Sequence, residues 1–103
     1  MSSLFLKNAN VIDVSTGNVN LKNIHIENGI IQEIGKNVIK NNSAESIDLK
    51  GNFVMPGLCD AHVHVTAFTA DFARLKNTSP FYVGIKALEI LRGMLSRGFT
   101  TVR

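Results

Sequence analysis

Two histidines separated by one residue are the strongest sign of chemistry in this sequence. His62 and His64 lie in the run Pro56-Gly57-Leu58-Cys59-Asp60-Ala61-His62-Val63-His64-Val65. Its alternating apolar residues predict a β-strand over Leu58–Val65, in which Asp60, His62 and His64 share one face. The two histidine Cα atoms would then lie roughly 6.6 Å apart, close enough for both imidazoles to bind one metal ion at about 2.1 Å. The sequence therefore predicts a two-histidine metal clamp.

Three further residues could take part in such a site: Asp60 and Cys59, which are close to the pair in sequence, and a third histidine, His25. Each of them also has another interpretation. Asp60 either positions a ligand ring or nearby backbone group, or forms a salt bridge or cap at the base of the strand, and the sequence favours neither. Cys59 is predicted to face the other way, as a small buried hydrophobic residue rather than a ligand. His25 lies beside Glu27 on the polar face of a predicted hairpin, where a surface histidine is expected.

The segment after the histidine pair, residues 66–77, is predicted to be mostly loop with a helical turn around residues 70–75. Loops that follow barrel strands shape substrate pockets, so this segment could contact a substrate. Asp71, Arg74 and Lys76 could pair with a charged substrate, although a solvated loop is the ordinary interpretation.

The first 55 residues are predicted to form a small antiparallel β unit. Short strands around Leu4–Leu6 and Val11–Val14 flank the run Asn8-Ala9-Asn10. Two hairpins follow. The first pairs Asn23–Glu27 with Ile30–Ile34 around an Asn28-Gly29 type I′ turn, and the second pairs Ile47–Leu49 with Asn52–Met55 around Lys50-Gly51.

The second half is predicted to be a strand, a helix and a strand. Ser79 and Pro80 fit the N-cap and first position of a helix, and Gly98 fits its C-terminal end. Apolar residues at spacings of four, three, three and four predict a core-facing helical stripe of Phe81, Ile85, Leu88, Leu91 and Leu95. Phe99–Val102 then begins a strand. Strand–helix–strand units build parallel sheets and barrels, whose active sites lie at the carboxyl ends of the strands.

Composition narrows the class of protein. The chain has 103 residues, 45% of them hydrophobic, and 11 basic residues scattered among 8 acidic ones, so no basic patch for nucleic acid is predicted. Its single Cys excludes an intrachain disulfide. It has no signal peptide at its start and no apolar run of roughly 18 residues for a membrane, so a cytoplasmic location is expected. Because the chain stops inside a predicted strand, we expect it to be part of a longer protein.

The histidine run resembles a known signature. Residues 54–64, Val-Met-Pro-Gly-Leu-Cys-Asp-Ala-His-Val-His, are similar to the Pro-Gly-x-x-Asp-x-His-x-His motif of the amidohydrolase superfamily. Residues 98–103, Gly-Phe-Thr-Thr-Val-Arg, resemble that family's entry into its second barrel strand, and the first strands resemble the β-sandwich before its barrel. Within the superfamily, the Xaa-Pro dipeptidase-like or imidazolonepropionase-related branch is the most similar.

The resemblance implies an α/β fold. Residues 1–55 would belong to a small composite β-sandwich, and residues 56–103 would be the first βαβ unit of an incomplete (β/α)8 TIM-like barrel. His62 and His64 would bind a divalent metal, zinc as a rule, with one or two ions in the complete enzyme. The family takes its other ligands from later strands: a carboxylated Lys, two His and an Asp.

The implied reaction is hydrolysis of an amide or other C–N bond by metal-activated water. The implied partners are a dipeptide, N-acyl amino acid or cyclic amide substrate and the rest of the chain's own barrel, and a homo-oligomer is compatible with the sequence. The 103-residue chain alone is expected to be inactive.

Two other functions fit the residues. The chain could be a non-catalytic β-rich binding or assembly module with an incidental His-x-His. Metal chelators would then leave the stability of the chain unchanged. It could also be a complete small metalloprotein in which His25 or Cys59 completes the site, and which would bind zinc tightly by itself.

Overall fold

The computed structural model describes residues 3–103. They form two compact units that divide between Pro56 and Gly57. The elements in chain order are β1 (Ser3–Ile12), β2 (Val19–Glu27), β3 (Ile30–Gly35), β4 (Glu45–Asp48), β5 (Phe53–Val54), β6 (Leu58–Asp60), α1 (Phe72–Lys76), α2 (Pro80–Ser96) and β7 (Phe99–Val102). Each unit has its own sheet.

The first unit is built around β1, which pairs on both edges. On one side β1 is antiparallel to β2, and β2 is antiparallel to β3. On the other side β1 is parallel to β4 and, further along, to β5. The predicted short strands around Leu4–Leu6 and Val11–Val14 are therefore wrong as separate elements. They belong to one strand that continues through Asn8, a residue with a φ of 56° at a break in the register.

The predicted β2–β3 hairpin is confirmed. Asn28 and Gly29 have φ values of 53° and 79°, the pair of positive angles that a type I′ turn requires. The register shifts once, between His25 and Ile26, where the strands are irregular. The turn chemistry of two residues was enough to predict this element because it acts locally.

The predicted hairpin around Lys50-Gly51 is wrong. β4 and β5 do not pair with each other, because both add to the same edge of β1, and the sheet is mixed rather than antiparallel. The turn between them is bound to β1 by main-chain hydrogen bonds that replace the hairpin ladder. These run from Leu49 N to Lys7 O (2.9 Å), from Gly51 N to Asn8 O (2.8 Å) and from Asn10 N to Asn52 O (3.0 Å).

The Asp48 carboxylate ties this turn to β1. Its Oδ1 accepts hydrogen bonds from Asn8 Nδ2 (2.9 Å) and Lys50 N (3.0 Å), and Lys7 Nζ lies 3.2 Å from Oδ2. The hydrogen bond from Asn8 is the largest of these influences, and together they lower the pKa of Asp48 to about 2. The charged form of Asp48 is thus the form that the folded chain favours.

Buried apolar side chains lie mainly in the first unit. Phe5 on β1 packs with Val38 and Ala44 from the segment between β3 and β4, and Ala9 and Ile24 are also buried. Among the described residues of the second unit, only Met94 belongs to this buried apolar class. The first unit therefore has a small core of its own.

In the second unit, β6 and β7 are parallel neighbours joined through α1 and α2. The predicted helix and the strand after it are confirmed: α2 starts at Pro80, Ser79 occupies the N-cap without a side-chain hydrogen bond, and Gly98 has a φ of 92°. The predicted helical turn near residues 70–75 is α1, capped by Asp71. Over residues 3–103, no helix is long and apolar enough to cross a membrane.

The prediction that the α2 stripe is core is wrong for this unit. Its exposed fractions are 87% for Phe81, 58% for Ile85, 48% for Leu88, 37% for Leu91 and 63% for Leu95. Within the unit, α2 packs against β7 and buries Met94, so the stripe is left uncovered. Periodicity identified an amphipathic helix correctly, but it carries no information on what covers the apolar face.

The Asp48 hydrogen bonds predict a pH dependence of stability. A carboxyl whose folded pKa is about 2, below its ordinary unfolded value of about 3.9, contributes stability above pH 4 that is lost as the pH falls towards 2. We expect Asp48→Asn to flatten the stability of the chain over that interval, as measured by urea unfolding at several pH values. If the stability of D48N fell as steeply with pH as that of the unsubstituted chain, the acid sensitivity would come from other carboxyl groups.

Candidate metal centre

The histidine pair lies just beyond the end of β6. The strand stops at Asp60, and residues 61–66 form a bend and a turn, so the predicted strand over Leu58–Val65 is wrong. The cause is local. Asp60 Oδ1 accepts a hydrogen bond from His62 N at 3.1 Å, which turns the chain where a strand would continue. The shared-face argument from strand alternation therefore does not apply to Asp60, His62 and His64.

The two imidazoles nevertheless converge. Their Nε2 atoms are 2.9 Å apart, the ring centroids are 4.8 Å apart and the ring planes make an angle of 71°. At this distance one Nε2–H can donate to the other Nε2, and the tautomers decide which ring is the donor. Both histidines are exposed. The bend thus brings together the two side chains that the sequence singled out.

Strand β7 supports the bend through main-chain bonds. Arg103 N donates to Asp60 O at 3.0 Å, and Val63 N donates to Arg103 O at 2.9 Å. The parallel pairing of β6 and β7 therefore continues past the end of β6 and includes the first residues of the bend.

Gly57 allows β6 and β7 to approach each other. A Cβ atom at this position would lie 2.7 Å from Thr100 Cβ and would also collide with the Thr100 hydroxyl and methyl groups. The next residue, Leu58, donates its amide to Gly98 O at 2.8 Å. Local residue patterns do not predict this contact, because Thr100 lies more than forty residues away from Gly57.

The two residues considered as further ligands, His25 and Cys59, lie in different units. His25 is half-buried in the first unit, where its Nε2 lies 3.1 Å from Ser3 Oγ. Cys59 is exposed, so its predicted burial is wrong. Across residues 3–103, no three His, Cys, Asp or Glu side chains are grouped closely enough to hold a metal ion.

Two of the three charged residues singled out after the pair, Asp71 and Arg74, have partners within the second unit. Asp71 Oδ1 accepts from Arg74 N at 3.0 Å and thereby caps α1. The Arg74 guanidinium lies 5.9 Å from the centre of the Phe68 ring, which in turn makes an edge-on contact with Tyr82 at 5.6 Å. These contacts shape the loop and account for Asp71 and Arg74 without a substrate.

The chain is similar in sequence to curated enzymes that are much longer. It is 43% identical over 63 residues to a dihydroorotase from Trichlorobacter lovleyi, a match that covers 61% of this chain and 15% of the relative. It is 38% identical over 106 residues to a 5′-deoxyadenosine deaminase from Methanosarcina acetivorans, covering 92% of this chain and 24% of the relative. No family model matches the chain.

Solved structures are similar over almost the whole chain. A crystal structure of an amidohydrolase superposes with a TM-score of 0.93 at 38% identity, covering 99% of this chain and 25% of that one. A prolidase in complex with N-methylphosphonate-L-proline gives 0.92 at 35% identity, and an Xaa-Pro dipeptidase with bound methionine gives 0.76 at 30%. These two matches cover 99% of this chain and 25% and 26% of the others.

The chain belongs to the amidohydrolase superfamily. The resemblance drawn from residues 54–64 and 98–103 is thereby confirmed at the level of the superfamily. The chain spans 15% to 26% of the length of the curated relatives and solved structures described above.

The Gly57 contact gives the first test of the site's scaffold. We expect Gly57→Ala to open the β6–β7 pairing, because its methyl group would overlap the Thr100 side chain. The amide protons of Leu58, Val63 and Arg103 should then exchange faster with solvent, as measured by hydrogen exchange and NMR.

Gly84→Ala is the matched control. Gly84 lies inside α2 with no atom within 4 Å of an added Cβ, so alanine should be tolerated and should stabilise the helix by about 0.5–1 kcal/mol.

The prediction for Gly57 would be contradicted if the amides of Leu58, Val63 and Arg103 exchanged at unchanged rates in G57A. That result would show that the close approach to Thr100 does not hold the strands together.

Proposed function

We propose that His62 and His64 are two ligands of a divalent metal ion, zinc in the first place, in a hydrolase that acts on carbon–nitrogen bonds. The observation that carries the proposal is the 2.9 Å separation of their Nε2 atoms at the carboxyl end of β6. Membership of the amidohydrolase superfamily supports the class of reaction.

The geometry of the pair fits a shared metal ion. Two nitrogen atoms that each lie about 2.1 Å from one zinc ion, with an angle of about 90° to 110° between them, are about 3.0 to 3.4 Å apart. A small rotation of either exposed ring would reach this range from 2.9 Å. Among residues 3–103, the only side-chain hydrogen bond of either ring is to the other, so both nitrogen lone pairs can be turned to an ion.

The fold around the pair supports a barrel. We propose that β6, α2 and β7 are the first βαβ unit of a (β/α)8 barrel, within residues 56–103, and that residues 1–55 contribute to a small β-sandwich. In such barrels the active site lies at the carboxyl ends of the strands, which is where the bend with His62 and His64 begins. The parallel pairing of β6 with β7 agrees with this placement.

The chain's own residues would supply only part of the chemistry. A divalent metal at this position lowers the pKa of a bound water molecule and polarises the bond to be cleaved. His62 and His64 would hold it from one side, and the remaining ligands would come from outside these 103 residues. Asp60 Oδ1 accepts from the His62 amide, and we propose that the carboxylate that moves a proton to the leaving nitrogen is supplied from elsewhere in the protein.

The names of the relatives suggest the substrate class. They include a dihydroorotase, a prolidase bound to an L-proline derivative and an Xaa-Pro dipeptidase. We propose that the whole protein cleaves an amide-type C–N bond in a dipeptide, an N-acyl amino acid or a cyclic amide. The 5′-deoxyadenosine deaminase adds a second type of C–N bond to these candidates, the bond between a purine ring and its amino group.

Zinc binding by the histidine pair tests the proposal directly. We expect a zinc titration of the 103-residue chain, followed by ¹⁵N NMR of the imidazole rings, to shift His62 and His64 together along one weak binding curve, because two imidazoles fill only half of the coordination shell. His25 provides an internal control, because its Nε2 is already paired with Ser3 Oγ in the first unit. His62→Gln or His64→Gln should weaken zinc binding by about tenfold or more, since each removes half of the clamp.

The alternative of a binding module with an incidental His-x-His predicts a different outcome. Equal shifts of all three histidines, or zinc affinity unchanged by H62Q and H64Q, would contradict the metal site and favour that module. Circular dichroism of both variants distinguishes a lost ligand from a lost fold.

The incomplete ligand set predicts that the chain alone is inactive. Two imidazoles leave the coordination shell of zinc half filled and position no substrate, so we expect no hydrolysis of dipeptides, N-acyl amino acids or cyclic amides above the protein-free rate. Product formation is followed by liquid chromatography with and without zinc. Turnover that disappears in His62→Ala would instead show that the described residues contain a complete site.

A further inference from the structure

The histidine rings depend on the backbone for their position. Both are exposed, and within residues 3–103 their rings have no side-chain hydrogen bond except to each other. Metal-binding histidines are usually oriented by a carboxylate, a backbone carbonyl or a water molecule that accepts a hydrogen bond from the free ring nitrogen. Here the convergence must instead come from the shape of the bend that carries them.

Four hydrogen bonds hold the bend and the turn that follows it. Three are main-chain bonds, the two to Arg103 described above and one from Ala67 N to His64 O at 3.1 Å. The fourth is the bond from His62 N to Asp60 Oδ1 at 3.1 Å, and it is the only one of the four that depends on a side chain. Because this bond acts on the amide of His62 itself, it sets the direction in which that residue leaves the strand.

We infer that Asp60 is a positioning residue, which makes the two imidazoles converge by accepting a hydrogen bond from the His62 amide. The inference rests on the proposed metal site. Asp60 acts through the oxygen at this one position, and neither its negative charge nor contact with the metal is required.

The same local bond occurs elsewhere in the chain. Asp13 Oδ1 accepts from Ser15 N at 2.9 Å, two residues further on, as Asp60 does from His62. Asp13 belongs to the first unit and is far along the chain from the histidine pair. It provides a control with the same geometry and a different location.

Two substitutions separate the acceptor oxygen from the charge. Asp60→Asn keeps an oxygen acceptor at the same distance from the backbone but loses the charge. Asp60→Glu keeps the charge but moves the carboxylate one methylene further out, where it cannot form the same two-residue turn.

We expect D60N to bind zinc within about threefold of the unsubstituted chain and D60E to bind about tenfold or more weakly. The affinity is measured by zinc titration of the full 103-residue chain, with the ¹⁵N shifts of the His62 and His64 rings as the readout. In D60E the Val63 amide should remain protected from hydrogen exchange, because its bond to Arg103 O does not involve the Asp60 side chain. Asp13→Glu should leave zinc affinity unchanged.

The opposite ranking would overturn the inference. If D60N lost affinity and D60E kept it, the charge of Asp60 would be the important property, and if both kept it, the bend would not need the side chain. Failure of the metal site itself has a separate signature, since zinc affinity would then be insensitive to His62→Gln and His64→Gln in the unsubstituted background.

Discussion

The parallel pairing of β6 with β7 is the constraint on which the candidate centre depends. Gly57 permits it by leaving room for Thr100, and the bond from Leu58 N to Gly98 O begins it. Its last two bonds reach from Arg103 into the bend that carries the histidines. Residues forty or more positions apart in the sequence therefore fix the place where the two imidazoles meet.

Hydrophobic burial contributes less to this second unit than to the first. The first unit packs Phe5 against Val38 and Ala44, whereas α2 keeps most of its apolar stripe exposed and buries Met94. Burial of apolar surface is the main driving force of folding, and the second unit has little of it. The main-chain hydrogen bonds between β6 and β7 therefore contribute a larger share of the stability of the second unit than such bonds contribute in the first. The local Asp60 turn matters for the same reason: few side-chain contacts surround the site.

Local signals in the sequence predicted local structure well. The Asn28-Gly29 turn, the α2 helix and its Gly98 end follow from φ preferences and periodicity within a few residues. Non-local pairing was not predictable in this way, which is why β4 and β5 were expected to form a hairpin with each other rather than adding to β1. The two histidine rings do converge, but the strand geometry from which their convergence was predicted is wrong. Alternation suggested a strand, and the Asp60 side chain ended it.

Zinc K-edge X-ray absorption of the zinc-loaded chain tests the central claim most directly, because it reports which atoms surround the ion. If His62 and His64 hold the ion, two imidazole nitrogens should lie at about 2.0 to 2.1 Å from it, with oxygen atoms filling the rest of the shell. A sulfur atom at about 2.3 Å would assign the ion to Cys59, and a shell of oxygen atoms without imidazole would show that His62 and His64 do not bind it. Either result would contradict the account.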